Sequence, residues 1–125
     1  MTSNPVCYWE IASHDADKTV AFLRELFGWQ FEYDEATTIH ELPAQPGQGP
    51  GLGGGVFSLR KARLPFLTIY VRVEDIQAMA RRVEALGGLM VIPVTELAGG
   101  SRICLFNEPS GVTLAMIQPA VTPAT

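Results

Sequence analysis

The sequence predicts an α+β fold built as two tandem βαβββ modules, and three observations predict it. Two amphipathic helical stripes stand sixty residues apart, each is preceded by a strand-like run, and each is followed by short strand candidates broken by turn residues. The first helix, Ala16–Phe27, follows the cap candidate Asp15, carries Val20, Leu23 and Phe27 at intervals of three and four, and ends at Gly28. The second, residues 76–86, follows Asp75, places Ile76, Met79, Val83 and Leu86 on one stripe, and stops at Gly87 and Gly88. Asp15 and Asp75, Leu26 and Leu86, and Gly28 and Gly88 are each separated by the same 60 positions.

The strands follow the same order. Residues 6–11 precede the first helix, and residues 30–33, 37–42 and 56–59 follow it; their counterparts are 66–71, 89–93, 102–106 and 112–118. Gly99, Gly100 and residues 107–111 punctuate the second set as turns. Module one therefore spans residues 5–59, a link 60–65, module two 66–118 and a tail 119–125, all within one 125-residue domain.

Composition narrows the function. With 47% of its residues hydrophobic, the chain can bury the core of one domain, and a second independent domain is not expected. The net charge of −4 and the scattered Lys and Arg residues leave no basic face, which argues against a nucleic-acid partner. No apolar run has the length of a membrane span, and residues 1–5 do not form a secretory signal, so a soluble, cytoplasmic protein is expected. Cys7 and Cys104 lie in apolar strands without CxxC or Cys/His spacing, which reads as reduced packing residues rather than a zinc site.

The segment GQGPGLGGG contains Gly49-x-Gly51-x-x-Gly54, the spacing of a dinucleotide-binding turn. That turn holds a pyrophosphate only where it opens a helix, because the helix N-terminus supplies the N–H groups and the dipole. Here Val56, Phe57, Ser58 and Leu59 follow, β-branched and aromatic, and no Gly-Lys-Ser/Thr is present. The segment is expected to be a loop entering a strand, with no nucleotide bound.

Three further stretches carry a resemblance. CYWEIASHDADKTVAFLRELFGW, IYVRVEDIQAMARRVEALGG and FNEPSGVTLAMIQ together resemble the two modules and closing turn of the vicinal oxygen chelate superfamily, also called the glyoxalase, bleomycin-resistance and dioxygenase family. The resemblance covers residues 5–118. It implies a curved, partly open mixed sheet with a cavity on its concave side and helices on its convex side. It also implies a homodimer, formed by docking whole chains or by exchanging modules.

Metal-binding members of that family hold a divalent ion with side chains from the first and last strands of each module. Carried onto this chain, those positions are Tyr8, Gly55, Thr68 and Ala115. A catalytic ion needs about three nitrogen or oxygen donors from the protein. Gly55 and Ala115 have none, so no metal and no other cofactor is expected. Alternation along the first strand of each module places Tyr8 and Glu10 on one face, with Thr68, Tyr70 and Arg72 on the matching face of module two, and Phe57 as a further wall. These residues are the expected ligand-binding cavity; Glu10 and Arg72 either face a ligand or pair with each other or with solvent at the rim. His14, before the helix cap, and His40, beside Glu41, read as surface or edge residues, and they complete no Ser-His-acid set.

Two functions are consistent with this pattern. One is a glyoxalase or bleomycin-resistance-like protein with a degenerate metal site that binds a small amphipathic or aromatic molecule. The alternative is a lyase, isomerase or dioxygenase-type enzyme of the same superfamily, using a divalent metal or acid-base groups such as Glu10 and Tyr8.

Overall fold

The structure, a computed structural model, describes residues 3–44, 52–60 and 63–121. The element order is β1 (Val6–Ser13), α1 (Ala16–Phe27), β2 (Glu32–Asp34), β3 (Ile39–Leu42), β4 (Gly53–Ser58), β5 (Phe66–Arg72), α2 (Ile76–Ala85), β6 (Leu89–Glu96), β7 (Arg102–Asn107) and β8 (Thr113–Gln118). The βαβββ order occurs twice, as the repeat requires. Two compact units result: one runs from Tyr8 to Thr68, and the other joins the N-terminal residues through Cys7 to the chain from Ile69 onward. Within the second unit, the Arg72 amide donates to the Pro5 carbonyl at 2.9 Å, and the Cys7 thiol contacts the Tyr70 carbonyl at 3.7 Å. The N-terminal segment thus packs with the module it precedes by sixty residues.

The two units have the same strand topology. In the first, β1 lies parallel to β4, and β3 is antiparallel to both β4 and β2; in the second, β5 lies parallel to β8, and β7 is antiparallel to both β8 and β6. The helices explain the parallel pairs, since parallel neighbours need a crossover connection.

Each helix starts where its cap predicts. Asp15 accepts from the Lys18 amide at 3.1 Å and Asp75 from the Ala78 amide at 3.1 Å, satisfying amides that have no partner inside the helix. A second cap comes from the end of the last strand of each module. Ser58 Oγ accepts from the Ala16 amide and Gln118 Oε1 from the Ile76 amide, both at 2.9 Å. Gly28 closes α1 with φ of 72° and donates to Arg24, an αL termination that favours glycine. α2 ends at Ala85, one residue before the expected stop, with Leu86 as its cap and Gly87 carrying the positive φ of 93°.

The apolar stripes meet the sheets. Ala16, Val20 and Val56 are buried together with Trp9, Ile11, Leu23 and Phe31 around them, while Val73, Ile76, Cys104 and Met116 form the core of the second unit. Trp9 and Ile11, and Val71 and Val73, are on the helix side, as strand alternation requires.

The strands differ from their expected bounds by one to three residues, and three of them show a physical reason. β4 begins at Gly53 rather than at residue 56, because two of its glycines are sites of close approach. A Cβ on Gly54 would meet the Trp9 indole, and one on Gly55 would meet the Tyr8 hydroxyl. Positions 47–51 of the glycine segment lie outside the described residues. β6 runs through Pro93 to Glu96, which an edge strand tolerates, and its pairing with β7 shifts register between Met90 and Ile92 and between Ile92 and Thr95. β3 starts at Ile39 instead of residue 37, since Thr38 takes a φ of 59° in the preceding turn. Among the described residues no helix is long and apolar enough to cross a membrane.

Candidate functional site

The first unit gathers polar groups on the face of its sheet that points away from α1. Cross-strand partners share a face, and Glu10 pairs with Gly55 while Gly55 pairs with Glu41 and Glu41 with Glu32. Carboxylates therefore flank a glycine along one row. Tyr8 lies two residues before Glu10 on the same face, and its hydroxyl donates to Glu41 Oε2 at 2.8 Å. The phenol passes over Gly55: a Cβ there would strike the Tyr8 oxygen and lie 2.7 Å from Ile39 Cγ2. Gly55 is therefore glycine to admit the ring. Glu10 is only 7% exposed, and Phe57, in register with the buried Ala12, is half-buried on the same face. Thr68, buried to 3% exposure, belongs to this unit also.

The corresponding row in the second unit is apolar. Tyr70 pairs with Ala115, Ala115 with Leu105 and Leu105 with Ile92. Tyr70, Ala115 and Leu105 are all buried. Arg72 is exposed at the end of β5, on a cleft of about 450 Å³ shared with Pro5, Glu74 and Gln118. Of the expected cavity residues, the structure brings together Tyr8, Glu10, Gly55 and Phe57 on one face of the first unit, and Tyr70 and Ala115 on one row of the second.

Sequence reasoning missed Glu41 as a member of the site. It lies in a predicted strand, but only the register with Gly55, which depends on the length of the intervening loop, brings it under Tyr8.

The histidines lie elsewhere. His14 is exposed and hydrogen-bonds through Nε2 to the Arg63 carbonyl. His40 is in register with Val56, a residue of the α1-side core, so it occupies the face opposite Glu41. There it lies 3.2 Å from Asp17 Oδ1 and 4.8 Å from the Tyr33 ring centroid, in a cleft of about 420 Å³. Cys104 is fully buried, which pushes its thiol pKa up and keeps it protonated, while Cys7 is half-buried; neither forms a disulfide.

The donor set does not fit the divalent ion that metal-binding relatives hold. Of the four positions carried over from the family, Tyr8 commits its proton to Glu41, Gly55 and the buried Ala115 supply no side-chain donor, and the buried Thr68 adds one neutral hydroxyl. Among the described residues no group of three or more His, Cys, Asp or Glu side chains is placed to hold a metal.

Residues 6–116 match the Glyoxalase/Bleomycin resistance protein/Dioxygenase superfamily, and the chain belongs to that family. No curated protein matches it. Among solved structures it is similar to a variant of the Streptomyces coelicolor methylmalonyl-CoA epimerase in complex with 2-nitronate-propionyl-CoA, at 19% identity and a TM-score of 0.65, covering 96% of this chain and 100% of that one. The methylmalonyl-CoA epimerase of Mycobacterium tuberculosis is 20% identical with a TM-score of 0.62, over 93% of this chain and 88% of that one. A hypothetical protein from Bacillus halodurans C-125 is 14% identical with a TM-score of 0.66, over 99% of this chain and 100% of that one. Likeness at these identities establishes the shared fold.

Proposed function

We propose that the chain binds a small amphipathic or aromatic molecule without a metal, at the Tyr8, Glu10, Glu41 and Phe57 face of its first module. The observation that carries this reading is the Tyr8–Glu41 hydrogen bond across Gly55. A side chain that would serve as a metal ligand in a relative is here a phenol already engaged with a carboxylate. Glu10 offers a second, buried carboxylate, and Phe57 an aromatic wall. A few convergent polar groups beside apolar surface orient a ligand that brings its own hydrogen-bond donors and a flat apolar body.

The test is a thermal-stabilisation screen with small aromatic and antibiotic-like compounds, followed by titration of the hits against Tyr8→Phe, Glu10→Gln and Glu41→Gln. Hits should lose affinity in all three variants. Hits that bind the three variants as tightly as the parent chain would refute the site.

A second reading is favoured by one observation: Glu10 and Glu41 flank Gly55 on one face, and Glu41 is hydrogen-bonded to a phenol. Carboxylates placed this way can take and return a proton. Under that reading the protein is an isomerase or lyase. The methylmalonyl-CoA epimerases among its structural neighbours put methylmalonyl-CoA first among substrates to try. Incubation in deuterated water, with NMR detection of deuterium at the substrate's α-carbon, separates the two: exchange that vanishes in Glu41→Gln supports the enzyme, and no exchange supports the binding protein.

A further inference from the structure

We propose a second small-molecule site behind α2 that takes an uncharged aromatic ring. It shares no residue with the Tyr8–Glu41 face and does not rest on that reading. Around Ile76, the first residue of α2, the helix closes tightly on Val73, Cys104 and Met116. Towards its C-terminal end the packing opens into a cleft of about 340 Å³, walled by Met79, Val83, Phe106 and Met116, with Arg82 and Leu86 at the mouth.

The internal repeat indicates what belongs at such a place. In module one the end of α1 is packed by rings of the chain itself: Trp29 lies 5.7 Å from Trp9, 4.9 Å from Phe27 and 6.3 Å from Phe31, centroid to centroid. Trp9 and Phe31 rest on the core formed by Ala16, Val20 and Val56. Sixty residues further on, the four ring positions are occupied by Ile69, Leu89, Gly87 and Val91. None is aromatic, and Leu89 and Val91 turn outward, 67% and 44% exposed. Module two lacks the rings its twin uses, and its cleft is lined by Val71, Val83 and Met116, the counterparts of Ile11, Leu23 and Val56 in the cluster that Trp9 and Phe31 pack against.

The lining selects the same chemistry. Methionine thioethers make favourable contacts with aromatic edges, and the Phe106 ring offers a tilted or stacked partner. Arg82 at the mouth can lie over an aromatic face. A charged group carried into this apolar lining would lose its hydration away from the charged residues of the lining, Arg82 and Glu108, which stand at the rim. An uncharged ring of indole size is the occupant that fits.

Indole itself is the probe, titrated into the full chain carrying 13C-methyl methionine and followed by NMR. The Met79 and Met116 methyl resonances should shift saturably, with the ring-current displacement an aromatic neighbour produces. Val83→Phe, which fills the cleft from within, should abolish those shifts while the circular dichroism spectrum is retained. Arg82→Gln, a surface change that leaves folding intact, should weaken binding several-fold. Absence of Met79 and Met116 shifts at millimolar indole, shifts confined to other resonances, or shifts that persist in folded Val83→Phe would each overturn the proposal. If Val83→Phe does not fold, unchanged affinity in Arg82→Gln would overturn it.

Discussion

The Tyr8 hydroxyl reaches Glu41 Oε2 at 2.8 Å, from β1 to β3, by crossing the glycine of the strand between them. Removing the hydroxyl leaves a half-buried acceptor without that donor, whereas an amide at position 41 still accepts. Tyr8→Phe should therefore destabilise the chain by about 1–3 kcal/mol in urea titration, and Glu41→Gln by clearly less. Equal losses would mean that the bond contributes nothing beyond packing.

Gly54 carries the mirror relationship on the other face, where Trp9 covers it so closely that a Cβ would overlap the indole. Gly54→Ala should cost about 1–3 kcal/mol through overpacking and should alter the near-ultraviolet circular dichroism of Trp9. A neutral effect with an unchanged spectrum would show that the ring is free to move away.

The two helix caps are independent of the site and should behave alike. Asp15→Ala and Asp75→Ala each remove a side-chain acceptor from a helix amide and should each lower stability by about 1 kcal/mol in chemical denaturation.

Glu108 sets an acid limit on the β7–β8 turn. Hydrogen bonds from Ser110 and from the Val112 amide hold its carboxyl pKa below the ordinary carboxylate range. A lowered folded pKa contributes stability above the unfolded pKa and loses it as pH falls through the folded one. Amide exchange at Val112 should accelerate as pH falls below the usual glutamate range, relative to neighbouring strand amides, and Glu108→Gln should remove that pH dependence.

The repeat was the most legible feature of the chain because it is written in local chemistry. Asp15 and Asp75 cap, and Gly28 and Gly87 or Gly88 stop, through interactions within a few residues, so helix positions follow from the sequence to within one residue. The paired caps of Ser58 on Ala16 and Gln118 on Ile76 keep the same sixty-residue interval, yet they join residues 42 apart and had no local signal. Strand starts were less legible where a distant ring decides them: Gly53, Gly54 and Gly55 read as loop residues until Trp9 and Tyr8 are placed over the latter two. Alternation put Tyr8 and Glu10 on the face away from α1, but Glu41 entered only with the β3–β4 register.

We propose that the Tyr8–Glu41 pair of module one stands where metal-binding members of the family place an ion. Elemental analysis of the chain, purified without chelators from medium supplied with nickel, zinc, iron and manganese, tests it most directly. No stoichiometric metal is expected. A tightly bound ion on every chain, removed by chelator and lost on substitution of Tyr8 or Glu41, would contradict it.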